Sequence, residues 1–186
     1  VSQAQMKTVY HETFDNNSNN WDESTDPLID VSGGGYILEN TDADMKVHTY
    51  EKDFPLDAEK DFEIMAVMEQ VSGKESYFYG ISWSVMNNLM LYQFRISTKG
   101  YFSIVKFVGN KNEKIKKKKK TSRLNKGNQD DTVVIKKIND LYHFYINNGY
   151  VGFCDMNKFA FHKGIGFFVY NVQKIKVKDL KIRTGS

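Results

Sequence analysis

In the stretch YFYGISWSVMNNLMLYQFRISTKGYFSIVKFVG, residues 77–109, the side chains alternate. Tyr77, Tyr79, Ile81, Trp83 and Val85 share one parity, and Gly80, Ser82 and Ser84 the other. Met90, Tyr92, Phe94 and Ile96 then alternate with Leu91, Gln93 and Arg95, and Tyr101 and Ser103 form the matching outward pair on the next segment. A period of two held over such lengths marks half-buried β-strands. Asn87-Asn88 and Thr98-Lys99-Gly100 separate the segments with residues suited to tight turns. The aromatic and aliphatic parity is assigned to the core, Trp83 included.

The same pattern extends outward. DFEIMAVMEQV (61–71) places Phe62, Ile64, Ala66 and Met68 on one face. Further strands are expected at 131–138, 141–147, 150–154, 164–172 and 174–184, with earlier ones at 8–14, 35–40 and 45–52. Asn147-Asn148-Gly149 reads as a hairpin turn. Residues 15–34 are turn-rich and are expected to form a loop anchored by Trp21. No segment carries a helical stripe of useful length. The chain is expected to be a single domain over residues 1–186, all-β, an antiparallel two-sheet sandwich.

Composition agrees with a packed domain. The 186 residues include thirteen Phe, eleven Tyr and two Trp, enough apolar surface to close a core. No apolar run approaches the ~18 residues a membrane helix needs. Cys154 is the one cysteine, which leaves no disulfide within the chain and no zinc cluster. It reads as a small apolar strand residue.

Charge is uneven. The net charge is +3, but KNEKIKKKKKTSRLNKGN (111–128) holds nine Lys or Arg against Glu113, so this segment carries +8 and the remainder −5. Lys116–Lys120 fall on a connection or at a strand end, where adjacent like charges must stay in water; on an edge strand they also block pairing with another sheet. As a binding surface the run suits an acidic polymer. Nucleic acid is disfavoured, because no aromatic residues interleave with the lysines and the body is acidic.

Taken in order, ETFDNNSNNW (12–21), GYILEN (35–40), DFEIMAVM (61–68), YGISWSVMNNLMLYQFRISTKGYFSIVK (79–106), FYINNGYVG (144–152), GIGFFVYN (164–171) and VKDLKI (177–182) resemble the concanavalin A-like lectin/glucanase jelly rolls. More narrowly they resemble the laminin-G-like and family-16 glycoside hydrolase-like domains of exported bacterial proteins. The resemblance implies a jelly-roll sandwich whose concave sheet forms a groove for a carbohydrate ligand. It assigns Ser82, Ser84, Gln93, Arg95, Tyr101 and Ser103 to that groove as binding residues, Gln93 and Arg95 exposed in it. The opening VSQAQ resembles what signal cleavage leaves, and export is the expectation.

Two alternatives stay beside the binding-module reading. EKDFE offers Glu59, Asp61 and Glu63 as a short form of the family-16 carboxylate motif, with Lys60 where that family has an apolar residue. Retaining hydrolysis needs the two main carboxyls roughly 5–5.5 Å apart across the groove. A structural or protein-interaction role of laminin-G type predicts instead a filled face and a partner patch elsewhere. No cofactor is implied, although jelly rolls often carry a structural calcium ion; Asp15, Asn17 and Asp179 are oxygen donors of the required kind.

Overall fold

The computed structural model describes residues 6–44, 46–48, 54–86, 90–109, 111–155 and 161–185. Strands run Met6–Glu12 (β1), Ser24–Thr25 (β2), Leu28–Val31 (β3), Tyr36–Asn40 (β4), Lys46–His48 (β5), Phe62–Gly73 (β6), Tyr79–Met86 (β7), Met90–Ser97 (β8), Tyr101–Val108 (β9), Lys111–Lys120 (β10), Asp131–Ile138 (β11), Leu141–Ile146 (β12), Gly149–Asp155 (β13), Gly164–Tyr170 (β14) and Gln173–Gly185 (β15). No helix occurs among the described residues, so none is long and apolar enough to cross a membrane.

Two antiparallel sheets pack face to face. One follows the order β13-β12-β11-β6-β15-β4-β3-β2, and β1 also pairs with β15. The long β15 makes this possible, since Gln173–Val177 pair with β4 and Leu180–Gly185 with β1. The other sheet has six strands, β10-β9-β8-β7-β14-β5. Alternation sends one parity of each strand between the sheets. Trp83 meets Phe144 of the opposite sheet with ring centroids 5.6 Å apart, and Phe94 meets Phe144 at 5.2 Å. Trp21 is buried against Phe14, Tyr36, Phe54 and Phe167, the anchoring role expected of it. Its indole Nε1 donates to the buried Glu12 carboxylate, which also accepts the Phe14 N–H.

Asn147 and Asn148 both have positive φ (47° and 64°), which matches the right-handed twist of the hairpin they close. One reading is corrected and one resolved. Residues 15–34 are not wholly loop, because β2 and β3 extend the nine-stranded sheet past β4. Of the two placements expected for the lysine run, the strand end holds: Lys116–Lys120 form the second half of the edge strand β10, paired to β9 through two bulges. Like charge does not prevent a strand at an edge, where alternate side chains splay to opposite faces in water. The expected turn Asn87-Asn88 and the expected strand residues 49–52 lie outside the described residues.

Candidate ligand site on the six-stranded sheet

The outward parity of β14, β7, β8, β9 and β10 makes one continuous face. Gly166, Ser82, Gln93, Val105 and Lys114 lie in successive cross-strand register, and Gly80, Arg95 and Ser103 form the next row. The floor near β7 is built from small residues. Gly80 has φ 153°, and a Cβ there would stand 2.1 Å from the carbonyl oxygen of Phe94. Glycine therefore lets β7 and β8 approach closely beside Arg95.

Arg95 is clamped on this floor. Its Nε and Nη2 donate to Gln93 Oε1 at 2.9 and 2.8 Å, and Nη2 also donates to the Tyr170 hydroxyl at 3.2 Å. That hydroxyl donates in turn to Gln93 Oε1 at 2.6 Å. The guanidinium carbon lies 5.2 Å from the Phe107 ring centroid and 4.9 Å from that of Tyr170, within cation–π range. Burial lowers the Arg95 pKa from its ordinary value and raises that of Tyr170. Arginine starts so high that it keeps its charge. Nη1 makes no hydrogen bond among the described residues.

Beside the clamp is a cleft of about 260 Å³ whose walls include Asp44, Lys46, Arg95, Phe107, Asn112 and Tyr170. Lys46 Nζ stands 5.7 Å from the Tyr170 ring centroid. Ser82 and Gln93 are fully buried (0 % exposed), yet Ser82 Oγ and Gln93 Nε2 find no hydrogen-bond partner among the described residues. Such groups ordinarily cost stability, and their presence calls for an explanation. A second depression of about 490 Å³ along β2 and β3, walled by Glu23, Leu28 and Asp30, contains no unpartnered buried polar atom among the described residues.

The six residues singled out from the sequence all lie on β7, β8 and β9, but their environments differ. Gln93 and Arg95 form the clamp, with Ser82 opposite Gln93 and Ser103 opposite Arg95. Ser84 has positive φ (51°) and accepts the His162 N–H, so it ties down a neighbouring segment. Tyr101 lies half-buried beneath Lys118 Nζ, 4.2 Å from the ring centroid. The expected open exposure of Gln93 is corrected by its complete burial. Lys46, Phe107 and Tyr170 were not singled out. Phe107 shares the parity of Tyr101 and Ser103, a usable signal; Tyr170 closes the all-apolar run GIGFFVY, whose period does not tell inside from outside.

The carboxylate triplet is dispersed. Glu59 sits exposed in the turn before β6, and Asp61 Oδ1 accepts the Asn139 N–H. Glu63 is buried on the outward face of the other sheet, bonded to Lys136 at 2.7 Å and Arg183 at 3.2 Å. The triplet therefore lies on the sheet opposite the Arg95 cleft. The oxygen donors considered for calcium have other partners: Asn17 brackets the Trp21 backbone, Asp15 accepts from Thr13, and Asp179 pairs with His11. No group of three or more His, Cys, Asp or Glu able to hold a metal occurs among the described residues.

No family model and no curated protein matches the chain. Solved structures do. Carbohydrate-binding module CBM66 from Bacillus subtilis aligns at TM-score 0.58 and 11 % identity, covering 94 % of each chain. The Emp47p carbohydrate recognition domain aligns at 0.66 and 12 % over 100 % of each chain. A Bacillus licheniformis β-glucanase aligns at 0.66 and 8 %, over 93 % of this chain and 96 % of its own. At such identities the likeness is one of fold, and the fold is the concanavalin A-like jelly roll.

Proposed function

We propose that residues 1–186 form one non-catalytic carbohydrate-binding domain of an exported protein, with the cleft around Arg95, Gln93 and Tyr170 as its site. The observation that carries this reading is the Arg95 guanidinium, flanked by the Phe107 and Tyr170 rings in the wall of the cleft. A guanidinium donates to sugar hydroxyls, while rings beside it pack on sugar faces. The neighbours named as a carbohydrate-binding module and a carbohydrate recognition domain support the ligand class. The dispersal of Glu59 and Glu63 gives no support to the hydrolase alternative.

The test is a glycan array followed by calorimetry on each hit, with the wild-type chain and Arg95→Ala. Binding that falls at least about tenfold in the variant supports the site, the range expected for losing a charged multi-bond contact. Glycan binding insensitive to Arg95→Ala moves the site elsewhere, and an array with no hits removes the reading. One observation favours an interaction domain as the second reading. Tyr150 and Phe153 on β13 are 49 % and 56 % exposed, and their rings neighbour Tyr145 and His143 on the outward face of the nine-stranded sheet.

A further inference from the structure

The lysines of the two sheets differ in one respect. On the nine-stranded sheet four cations pair with acids. Lys136 and Arg183 flank Glu63, Lys174 meets Glu39, and Lys178 bridges Glu69 and Asp130. Along β10 none of Lys114, Lys118 and Lys120 has an acidic partner among the described residues. The sequence outside 111–128 is net acidic, so acids are plentiful elsewhere in the chain.

The register of β10 decides where its lysines go. Lys114 lies opposite Val105 and Lys120 opposite Tyr101, both on the outward parity of β9, and Lys118 Nζ lies over the Tyr101 ring. Lys116 belongs to the other parity and lies against Gly152 of β13, where an added Cβ would meet its Nζ at 2.5 Å. Asn112, on the same strand, lines the Arg95 cleft beside Phe107. A track of cations therefore leaves the cleft, from Lys46 and Arg95 through Lys114 to Lys118 and Lys120. Asp44 at the cleft wall is its one acidic neighbour among the cleft-lining residues. At about 3.3 Å per residue, Asn112 to Lys120 spans at most about 26 Å, room for several sugar units.

We infer that the ligand is an anionic polysaccharide, lying across the six-stranded sheet with one acidic sugar at Arg95 and its neighbours along Lys114, Lys118 and Lys120. This rests on the carbohydrate reading above and narrows it. The planar guanidinium, with Nη1 unbonded, suits a carboxylate or sulfate oxygen. Each lysine alone contributes little in water, but a row of them facing a regular polyanion adds up and is sensitive to salt.

The experiment measures affinity for polygalacturonate, carboxyl-reduced polygalacturonate, dextran sulfate and an oligothymidylate, at ~50 mM and ~500 mM NaCl. It uses wild-type chain and the triple variant Lys114→Glu/Lys118→Glu/Lys120→Glu, whose fold is checked by its melting temperature. The expected result is binding to an acidic polysaccharide that falls about tenfold or more with salt and about tenfold or more in the triple variant. The reduced neutral polymer should bind at least about tenfold more weakly. Polygalacturonate against dextran sulfate, which carries no carboxylate, separates uronate from sulfate recognition. Equal affinity for the neutral polymer, or no change in the folded triple variant, overturns the inference while leaving the carbohydrate site in place. Equal or tighter oligothymidylate binding overturns it as simple polyelectrolyte attraction. Binding to none of the saccharides, here and on the array, overturns both.

Discussion

Ser82 and Gln93 stand directly opposite one another across β7 and β8, both fully buried, and each carries a polar atom that no group among the described residues satisfies. Gln93 Oε1, by contrast, accepts three hydrogen bonds from Arg95 and Tyr170. The amide is thus held by its oxygen with its nitrogen unspent. Keeping unpaired polar atoms in the dry interior trades stability away.

Ser82→Ala tests that trade. Removing an unpartnered buried hydroxyl should leave stability unchanged or raise it by up to ~1 kcal/mol. Because Ser82 is fully buried and outside the cleft lining, glycan affinity should change less than about twofold. Denaturant melts and calorimetry on the same preparation measure both. A clear loss of stability with unaltered affinity would make Ser82 a structural residue.

Gly80→Ala should destabilise the protein by at least about 2 kcal/mol, because the backbone there is left-handed in φ and the new Cβ would collide with the Phe94 carbonyl oxygen. Urea unfolding reads this directly. A near-neutral effect would mean that β7 and β8 can separate beside Arg95.

Asp131 is buried, and burial raises its carboxyl pKa in the folded protein above its ordinary value, against the lowering effect of its bonds from Asn125 and Asn147. The folded state therefore holds the proton more tightly than the unfolded state. Stability falls as pH rises from the unfolded carboxylate value of ~3.9 through the raised folded one, and the full cost is present above it. Asp131→Asn keeps an acceptor oxygen and removes the charge. Its melting temperature relative to wild type should rise from pH ~3 to pH ~7. The opposite trend would show that the ionised carboxylate is stabilising.

Burial pushes the Cys154 thiol up to about 12, despite the opposing influence of Lys116. Since the thiolate is the nucleophile, iodoacetamide at pH ~8 should label the folded chain on the order of a hundredfold or more slowly than the urea-unfolded chain. Mass spectrometry over a time course measures this. Comparable rates would place the thiol in an open, reactive setting.

The strand pattern was legible because burial imposes a period of two, and side chains between two sheets must be apolar. Trp83, Tyr92 and Phe94 could be assigned inward, and Gln93 and Arg95 outward, from spacing alone. The short strands β2 and β3 were missed because two and four residues are too few to show a period. Tyr170 was missed because its strand is apolar on both parities, its outward face being covered as well.

The sequence by itself thus determined an all-β chain with about a dozen alternating strands, a single polar row at Gln93 and Arg95, and one lysine-dense segment in an otherwise acidic chain. Tertiary structure alone decided what those features mean together. Period two says which side chains share a face, but strand order says which faces are neighbours. Pairing of β14 with β7, and of β10 with β9, brings Tyr170 to Arg95 and starts the lysine track at the cleft. Pairing of β6 with β11 and β15 places Glu63 among cations on the opposite sheet. These contacts join residues 75 and 120 positions apart, a separation over which local patterning carries no register.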